Sequence, residues 1–362
     1  MPNPIEPVPG AEANAPSGSL IINGQSIALA TRVTLELQLP QLYTHTPLTM
    51  PVHVVRGKKD GPRLFVSAAI HGDELNGVEI IRRLLKLGIL TRLRGTLIAI
   101  PMVNVYGVIH NSRYLPDRRD LNRAFPGSVR GSLASRLAEL FMREIVAKCS
   151  HGIDLHTGAV HRENLPQVRA NLDDAETLRL SRAFGVPVLL NANSRDGSLR
   201  EAAAEHGISM LVYEAGEALR FGEVSIRAGL HGVLNVLRAL RMLPGSRALG
   251  RAKMEPFVAG SSTWVRAPQS GILRNTTPLG VRAKKGNLLG IIADPFGEQE
   301  TEVLAHSDGV VIGRTQIPLV HEGEALFHIA RFEDAREVEK QVAAFRTHQV
   351  DAIDGDPEPT IV

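Results

Sequence analysis

Only one cysteine, Cys149, occurs in the 362 residues. A lone thiol excludes an intramolecular disulfide, and its place at the end of an apolar, helix-like run suits a reducing cytosol. Excess charge is scarce as well. The net charge is +3 and the arginines are scattered rather than clustered, so nothing argues for a nucleic-acid partner. No apolar run approaches the roughly 20 residues needed to span a bilayer. The opening "MPNPIEPVPGAEANAPSGS" has neither a basic start nor an apolar core, so residues 1–20 are expected to form a flexible tail rather than a signal peptide. These absences leave a cytoplasmic protein with no membrane partner as the expectation. With 43% hydrophobic residues, the chain can build one large core or a main domain with a smaller satellite.

Along the chain, apolar runs alternate with segments of helical period. "TRVTLELQLP" alternates like a half-exposed strand, "RLFVSAAI" and "GTLIAIPMVN" read as buried strands, and "ELNGVEIIRRLLKLGIL" reads as a helix. A long polar loop, "VYGVIHNSRYLPDRRDLNRAFPGS", precedes a helix for which Ser132 is the expected cap. "GIDLHT", "PQVRANL", "PVLLNA" and "SMLVYEAG" are further strands, with helices between and after them. The order implies an α/β sandwich around a mostly parallel central sheet over 21–245.

From 255 to 332 the pattern becomes short strands punctuated by glycine and proline, an all-β unit. Its quasi-repeated "APQSGIL" and "AHSDGVV" resemble the barrel-sandwich (lipoyl-like) fold of biotinyl and lipoyl carrier domains. Neither Asp-Lys-Ala nor Met-Lys-Met occurs at a hairpin tip, and Lys284 and Lys285 fall in a different turn. A structural barrel is therefore expected. Residues 333–362 read as a short charged helix and an acidic tail.

The stretch "AAIHGDELNG" ends a buried strand at His71 and turns through glycine toward Glu74. Ligands in open α/β sheets collect beyond the carboxyl ends of strands, so the histidine stands at the mouth of a crevice. On this pair alone, metal binding and ordinary helix capping are both open readings. "IDLHTGA" repeats the pattern with His156, and His71, Glu74 and His156 together make two imidazoles and a carboxylate, the hydrolytic zinc arrangement with one coordination position left open. The spacing by itself also admits iron. Asp154 shares a strand face with His156, either orienting it or serving as a plain strand-end hydrogen bonder. At the end of "SMLVYEAGE", Glu214 is the expected general base, with Glu217 in the next turn as its rival.

The long loop adds cations suited to carboxylates or to a polarised carbonyl, which points to anionic substrates. Arg118 and Arg119 are expected only to solvate it. The ordered motifs "HGDE", "RDLNRAFPG", "DLHTG" and "YEAGE" resemble the succinylglutamate desuccinylase and aspartoacylase family, a branch of the zinc carboxypeptidase fold. That resemblance implies a zinc-dependent hydrolase removing an acyl group from a small anionic N-acyl amino acid, with one zinc per chain on His71, Glu74 and His156 and with Glu214 as base. It further implies that Asn122 and Arg123 bind a substrate carboxylate, that Arg113 polarises the scissile carbonyl, and that Arg200 is a further carboxylate-binding arginine. "LPDRRD" is longer than the aspartoacylase spacing, and the tyrosine that aspartoacylases supply from their C-terminal part has no counterpart here. Substrate identity and oligomeric state, a homo-oligomer included, stay open. A zinc carboxypeptidase acting on peptides would use the same metal and base. A non-enzymatic carrier or interaction module would suit the β unit but leave the three ligands unexplained.

Overall fold

A computed structural model describes residues 19–159, 161–192, 196–245 and 255–355. The tail expected over 1–20 lies outside the described residues except for its last two positions, as does 356–362 at the other end. Leu20 is already part of the fold, fully buried at the start of a short hairpin, β1 (Leu20–Ile22) and β2 (Gln25–Ile27).

The strands that follow are β3 (Arg32–Gln38), β4 (Thr49–Arg56), β5 (Arg63–Ala68), β6 (Thr96–Ile100), β7 (His151–Gly158), β8 (Arg162–Ala170), β9 (Val188–Asn191) and β10 (Ser209–Glu217). Between and after them run α1 (Asn76–Leu85), α2 (Val105–Ile109), α3 (Leu133–Glu144), α4 (Ala175–Phe184), α5 (Leu199–Glu205) and α6 (Glu223–Ala239). Ser132 caps α3 as expected, accepting from Ser135 N. The C-terminal segment adds β11 (Phe257–Ala259), β12 (Ser261–Arg266), β13 (Gly271–Asn275), β14 (Arg282–Ala283), β15 (Leu288–Ala293), β16 (Glu300–Leu304), β17 (Gly309–Thr315), β18 (Leu319–Val320) and β19 (Ala325–Arg331). The last helix, α7 (Ala335–Gly355), spans 21 residues and is longer than the short helix expected there.

The main sheet is mixed, which corrects the expectation of a mostly parallel one. Its path is β12-β19-β17-β8-β10-β7-β5-β6-β4-β3. Only β10, β7, β5 and β6, in the middle of that path, run parallel to one another. Antiparallel β4 and β3 extend one flank, and β8 followed by β17 the other. The reason on the β8 side is the link from Gly158 to Arg162, far too short for the crossover that a parallel neighbour needs, so the chain must run back antiparallel.

The C-terminal β unit is built from the last nine strands, Phe257 to Arg331. It has two layers and a core of its own, formed by residues such as Leu273, Ile292, Phe327 and Ile329. One layer, β18-β13-β15-β16, is a separate four-stranded sheet. The other is continuous with the main sheet through β17 on β8, while β11 pairs with β9. The segment is therefore joined to the α/β part by strand pairing rather than hung from it.

Strand alternation sorts the middle strands into two faces. Leu64, Val66, Ile153, Leu155, Leu211 and Tyr213 pack against α1, α4 and α6. On the opposite face Phe65 and Met210 pack with α3 and α5. Each large apolar side chain buried in these layers contributes about 1.5–3 kcal/mol. Helices on both faces make the expected sandwich, and the second face carries the polar site.

Candidate metal centre

β5 stops at Ala68 because Ala69 takes a left-handed φ of +51°, and the chain then doubles back through Gly72. A Cβ on Gly72 would lie 2.0 Å from the backbone carbon of Gly107, so only glycine lets this turn lie against α2. Glu74 follows in the turn, two residues ahead of α1 rather than in its first turn, and no side chain caps that helix. The capping reading fails here. The Glu74 carboxylate instead faces both histidines and accepts from Thr157 N at 3.1 Å.

His71 Nδ1 lies 2.8 Å from Glu74 Oε1, and His156 Nδ1 lies 2.8 Å from Glu74 Oε2. The three residues are buried, and one donor atom from each lies within 4.8 Å of the others. Behind each ring stands another carboxylate. His71 Nε2 meets Asp120 Oδ1 at 3.1 Å, and His156 Nε2 meets Asp154 Oδ2 at 2.6 Å. Asp154 is held in turn by Ser67 Oγ, which donates to Oδ1 at 2.7 Å from the neighbouring strand. Of the two readings open for Asp154, orientation of His156 is the one the geometry has.

The protonation pattern can be assigned from these partners. With Nε2–H donated to Asp120 and Asp154, both Nδ1 atoms turn lone pairs toward a carboxylate that can only accept. Such a cluster calls for positive charge at its centre, supplied either by protons on the rings or by a cation among the three ligands. Burial opposes charge on either ring, yet Glu74 and Asp120 hold His71 above its usual range, and Asp154 and Glu74 hold His156 well above it. Burial alone would raise Glu74, but the two imidazoles pull it far below the ordinary carboxylate range. His71, Glu74 and His156 thus fit a divalent ion, with outer carboxylates orienting both rings.

Around this cluster the other expected residues fall into distinct places. Glu214 pairs in register with His156 across β10 and β7, putting both on the polar face. It does not end its strand. β10 continues to Glu217 through an irregularity that places Gly216 at φ +76°. Glu217 lies beyond that irregularity, 3.3 Å from Arg220. Arg113 donates from Nη2 and Nε to Asp120 and from Nη1 to Glu74, so it touches the cluster directly. Asp120 also accepts from Asn122 N at 2.8 Å. Asn122 Oδ1 accepts from Leu199 N at the start of α5, next to the half-buried Arg200, and Gly197 lies against the Arg123 backbone. Asn122 and Arg123 are therefore on a loop that touches the start of α5, where Arg200 sits. Arg118 and Arg119 are exposed, as expected of a solvated loop.

Asp120, Asn164 and Arg169 escaped the sequence reading. Asp120 sits within the quoted "RDLNR", where an acid two residues before an asparagine was the available signal. Asn164 and Arg169 carried none, because their proximity to Glu214 depends on the antiparallel return of β8.

A sheet with helices on both faces, bearing a buried His-Glu-His cluster beyond its parallel strands, defines an α/β protein with a candidate metal centre. The family model described as the succinylglutamate desuccinylase/aspartoacylase catalytic domain matches residues 60–240, and the chain belongs to that family. It is 27% identical over 292 residues to an N-alpha-acetyl-L-2,4-diaminobutyric acid deacetylase of Halomonas elongata, covering 78% of this chain and 85% of that protein. Among solved structures, a succinylglutamate desuccinylase/aspartoacylase from Rhodobacter sphaeroides is 25% identical with a TM-score of 0.74, covering 83% of this chain and 96% of the other. The product-bound ectoine utilization protein EutE (DoeB) from Ruegeria pomeroyi shares the fold at a TM-score of 0.76 and 24% identity, covering 84% and 97%.

Proposed function

We propose that the protein is a zinc-dependent amide hydrolase that removes the acyl group from a small N-acyl amino acid. The observation that carries this reading is the meeting of two Nδ1 atoms on one buried carboxylate, a donor set complete for a divalent ion. Family membership and the printed activity of the Halomonas relative support the substrate class. No described helix is long and apolar enough to cross a membrane. We further assign the enzyme to the cytoplasm, on its lone cysteine.

Zinc held by His71, Glu74 and His156 would supply Lewis acidity, polarising the scissile carbonyl and acidifying water. Glu214 takes the proton from the attacking water and returns it to the amide nitrogen as the C–N bond breaks, so water and amide become carboxylate and amine. Arg113 spends three N–H groups on Asp120 and Glu74, which leaves two of its five for the oxygen that becomes negative. With Asn122 Oδ1 committed to Leu199, its amide hydrogens remain to donate to a substrate carboxylate, alongside Arg123 and Arg200.

The experiment is a panel of N-acetyl and N-succinyl amino acids, Nα-acetyl-L-2,4-diaminobutyrate among them, offered to zinc-loaded protein beside short peptides. Release of free amine from the former and not the latter is expected. Cleavage confined to peptides would transfer the site to a carboxypeptidase.

A further inference from the structure

A general base must point at its proton, and Glu214 has one side-chain hydrogen bond among the described residues to fix its direction. Asn164 Nδ2 donates to Glu214 Oε2 at 2.7 Å. Arg169 Nε approaches the other oxygen to 3.2 Å but out of hydrogen-bonding alignment, so it adds charge without fixing the carboxylate plane. Asn164 and Arg169 both belong to β8. The register pairs Glu214 with Gln167 and Gly216 with Asn164, and the irregularity between those pairs brings the Asn164 amide beside the Glu214 carboxylate.

Asn164 is buried, and the C-terminal segment lies against its other side. In the antiparallel pairing of β17 with β8, Gly313 stands opposite Asn164. A Cβ on Gly313 would come within 2.8 Å of Asn164 Oδ1, closer than such atoms approach. Any residue but glycine there would push the amide, which is the movable partner, away from its present place. The amide is thus enclosed between the Glu214 carboxylate and the backbone of a strand from the C-terminal β unit.

We propose that Asn164 is a positioning residue that aims Glu214, and that β17 holds it in place through Gly313. The C-terminal β segment then belongs to the catalytic apparatus through the position it holds Asn164 in. The inference rests on the reading of Glu214 as general base. An amide suits the task because it donates a directed bond while leaving the carboxylate charge unneutralised. Catalytic groups work only when held within about 0.5 Å of the productive geometry, and misplacement by about 1 Å costs on the order of 100-fold.

Two variants of the full-length, zinc-loaded protein test this, Asn164→Leu and Gly313→Ala, assayed on whichever member of the N-acyl amino acid panel the parent hydrolyses fastest. Both should lower kcat by about 10–100-fold while leaving KM and zinc content within about twofold. Asn164→Asp sets a like charge beside Glu214 and should move the acid limb of the kcat/KM profile upward by about one pH unit. A crystal structure of Gly313→Ala should show the Asn164 amide displaced and the Glu214 carboxylate turned.

Parental kcat in both variants, or an effect confined to KM, would overturn the proposal. So would an unmoved Glu214 carboxylate in Gly313→Ala. Should Asn164→Leu fail to fold, Gly313→Ala carries the test alone, since it leaves every polar group of the site in the sequence. If the parent hydrolyses nothing in the panel, the deacylase reading fails by itself, and the Gly313→Ala structure still decides whether β17 positions Glu214.

Discussion

Glu74 and His156 stand 82 positions apart in the chain and meet at 2.8 Å, with the second oxygen of the same carboxylate given to His71. One carboxylate therefore ties the turn after β5 to the end of β7. Removing an imidazole from this set should cost metal rather than fold. His156→Ala is expected to reduce bound zinc from about one per chain to below a tenth under equilibrium dialysis, read by elemental analysis. Unchanged zinc content would take His156 out of the ligand set.

Glu214→Gln keeps the shape of the side chain and a carbonyl oxygen for Asn164 but removes the proton acceptor. The variant should bind zinc as the parent does and lose about 10²–10⁴ in kcat on the best N-acyl substrate. Full turnover in that variant would strike Glu214 from the mechanism and reopen Glu217, although its contact with Arg220 lies beyond the irregularity in β10.

The parts of the site that could be read from the sequence are those that lie close together along it. His71 and Glu74 occur three residues apart, Asp154 and His156 two apart, and each pair follows an apolar run whose period identifies a strand. Asp120 was harder, since its role depends on how a long loop folds back over His71. Asn164 was beyond reach, because its neighbour Glu214 is 50 positions away and only the reversal of β8 brings them together. The same reversal made the sheet mixed. Eight residues separate "GIDLHT" from "PQVRANL" in the sequence, and only the placed strands, ending at Gly158 and starting at Arg162, show how short the link is. Strand β4 went unread for another reason. "TMPVHVVR" holds a proline, which is accommodated because β6 pairs only with His53–Arg56 and leaves Pro51 with a neighbour on one side alone.

Arg123 and Arg113 should separate in kinetics. Arg123 is exposed on the loop that touches the start of α5, whereas Arg113 is fixed against Glu74 and Asp120. Arg123→Ala is expected to raise KM for carboxylate-bearing substrates by about 10-fold with kcat nearly unchanged, the signature of lost ground-state binding. Arg113→Ala should lower kcat by about 10²-fold, as expected for a group that acts on charge developing in the transition state. Similar KM effects in both variants would assign both arginines to binding.

Acid stability should depend on a cluster remote from the site. Arg83 donates to Glu79 at 2.7 Å and to both Glu223 oxygens at 2.6 and 2.8 Å, linking α1 to α6. Hydrogen bonds to Arg82 and Arg83 hold Glu79 below its ordinary value, and those to Arg83 and Arg227 hold Glu223 below its own. Because the folded values are depressed, the stabilisation is present above the ordinary carboxylate pKa and is lost as pH falls through the lowered ones. Arg83→Met should therefore lower Tm by about 1–3 °C at neutral pH, and the difference from the parent should shrink below about pH 4. A constant difference from pH 3 to 7 in thermal scans would mean that Arg83 acts through packing alone.

The turn that carries His71 and Glu74 gives the last test, since it changes no ligand. Gly72→Ala would set a methyl 2.0 Å from the Gly107 backbone carbon and 2.2 Å from Val108 N, and neither is the end of a side chain that can swing aside. The turn itself must move, carrying His71 away from Glu74 and Asp120. Overpacking of this kind costs about 1–3 kcal/mol. Its larger effect should fall on the metal, because displaced ligands no longer share a centre. Zinc affinity is expected to drop at least 10-fold by competition with a chelator, while far-UV circular dichroism stays that of the parent. Parental zinc affinity in Gly72→Ala would mean that α2 yields instead, and the contact between the turn and Gly107 would then have no part in holding the ligands.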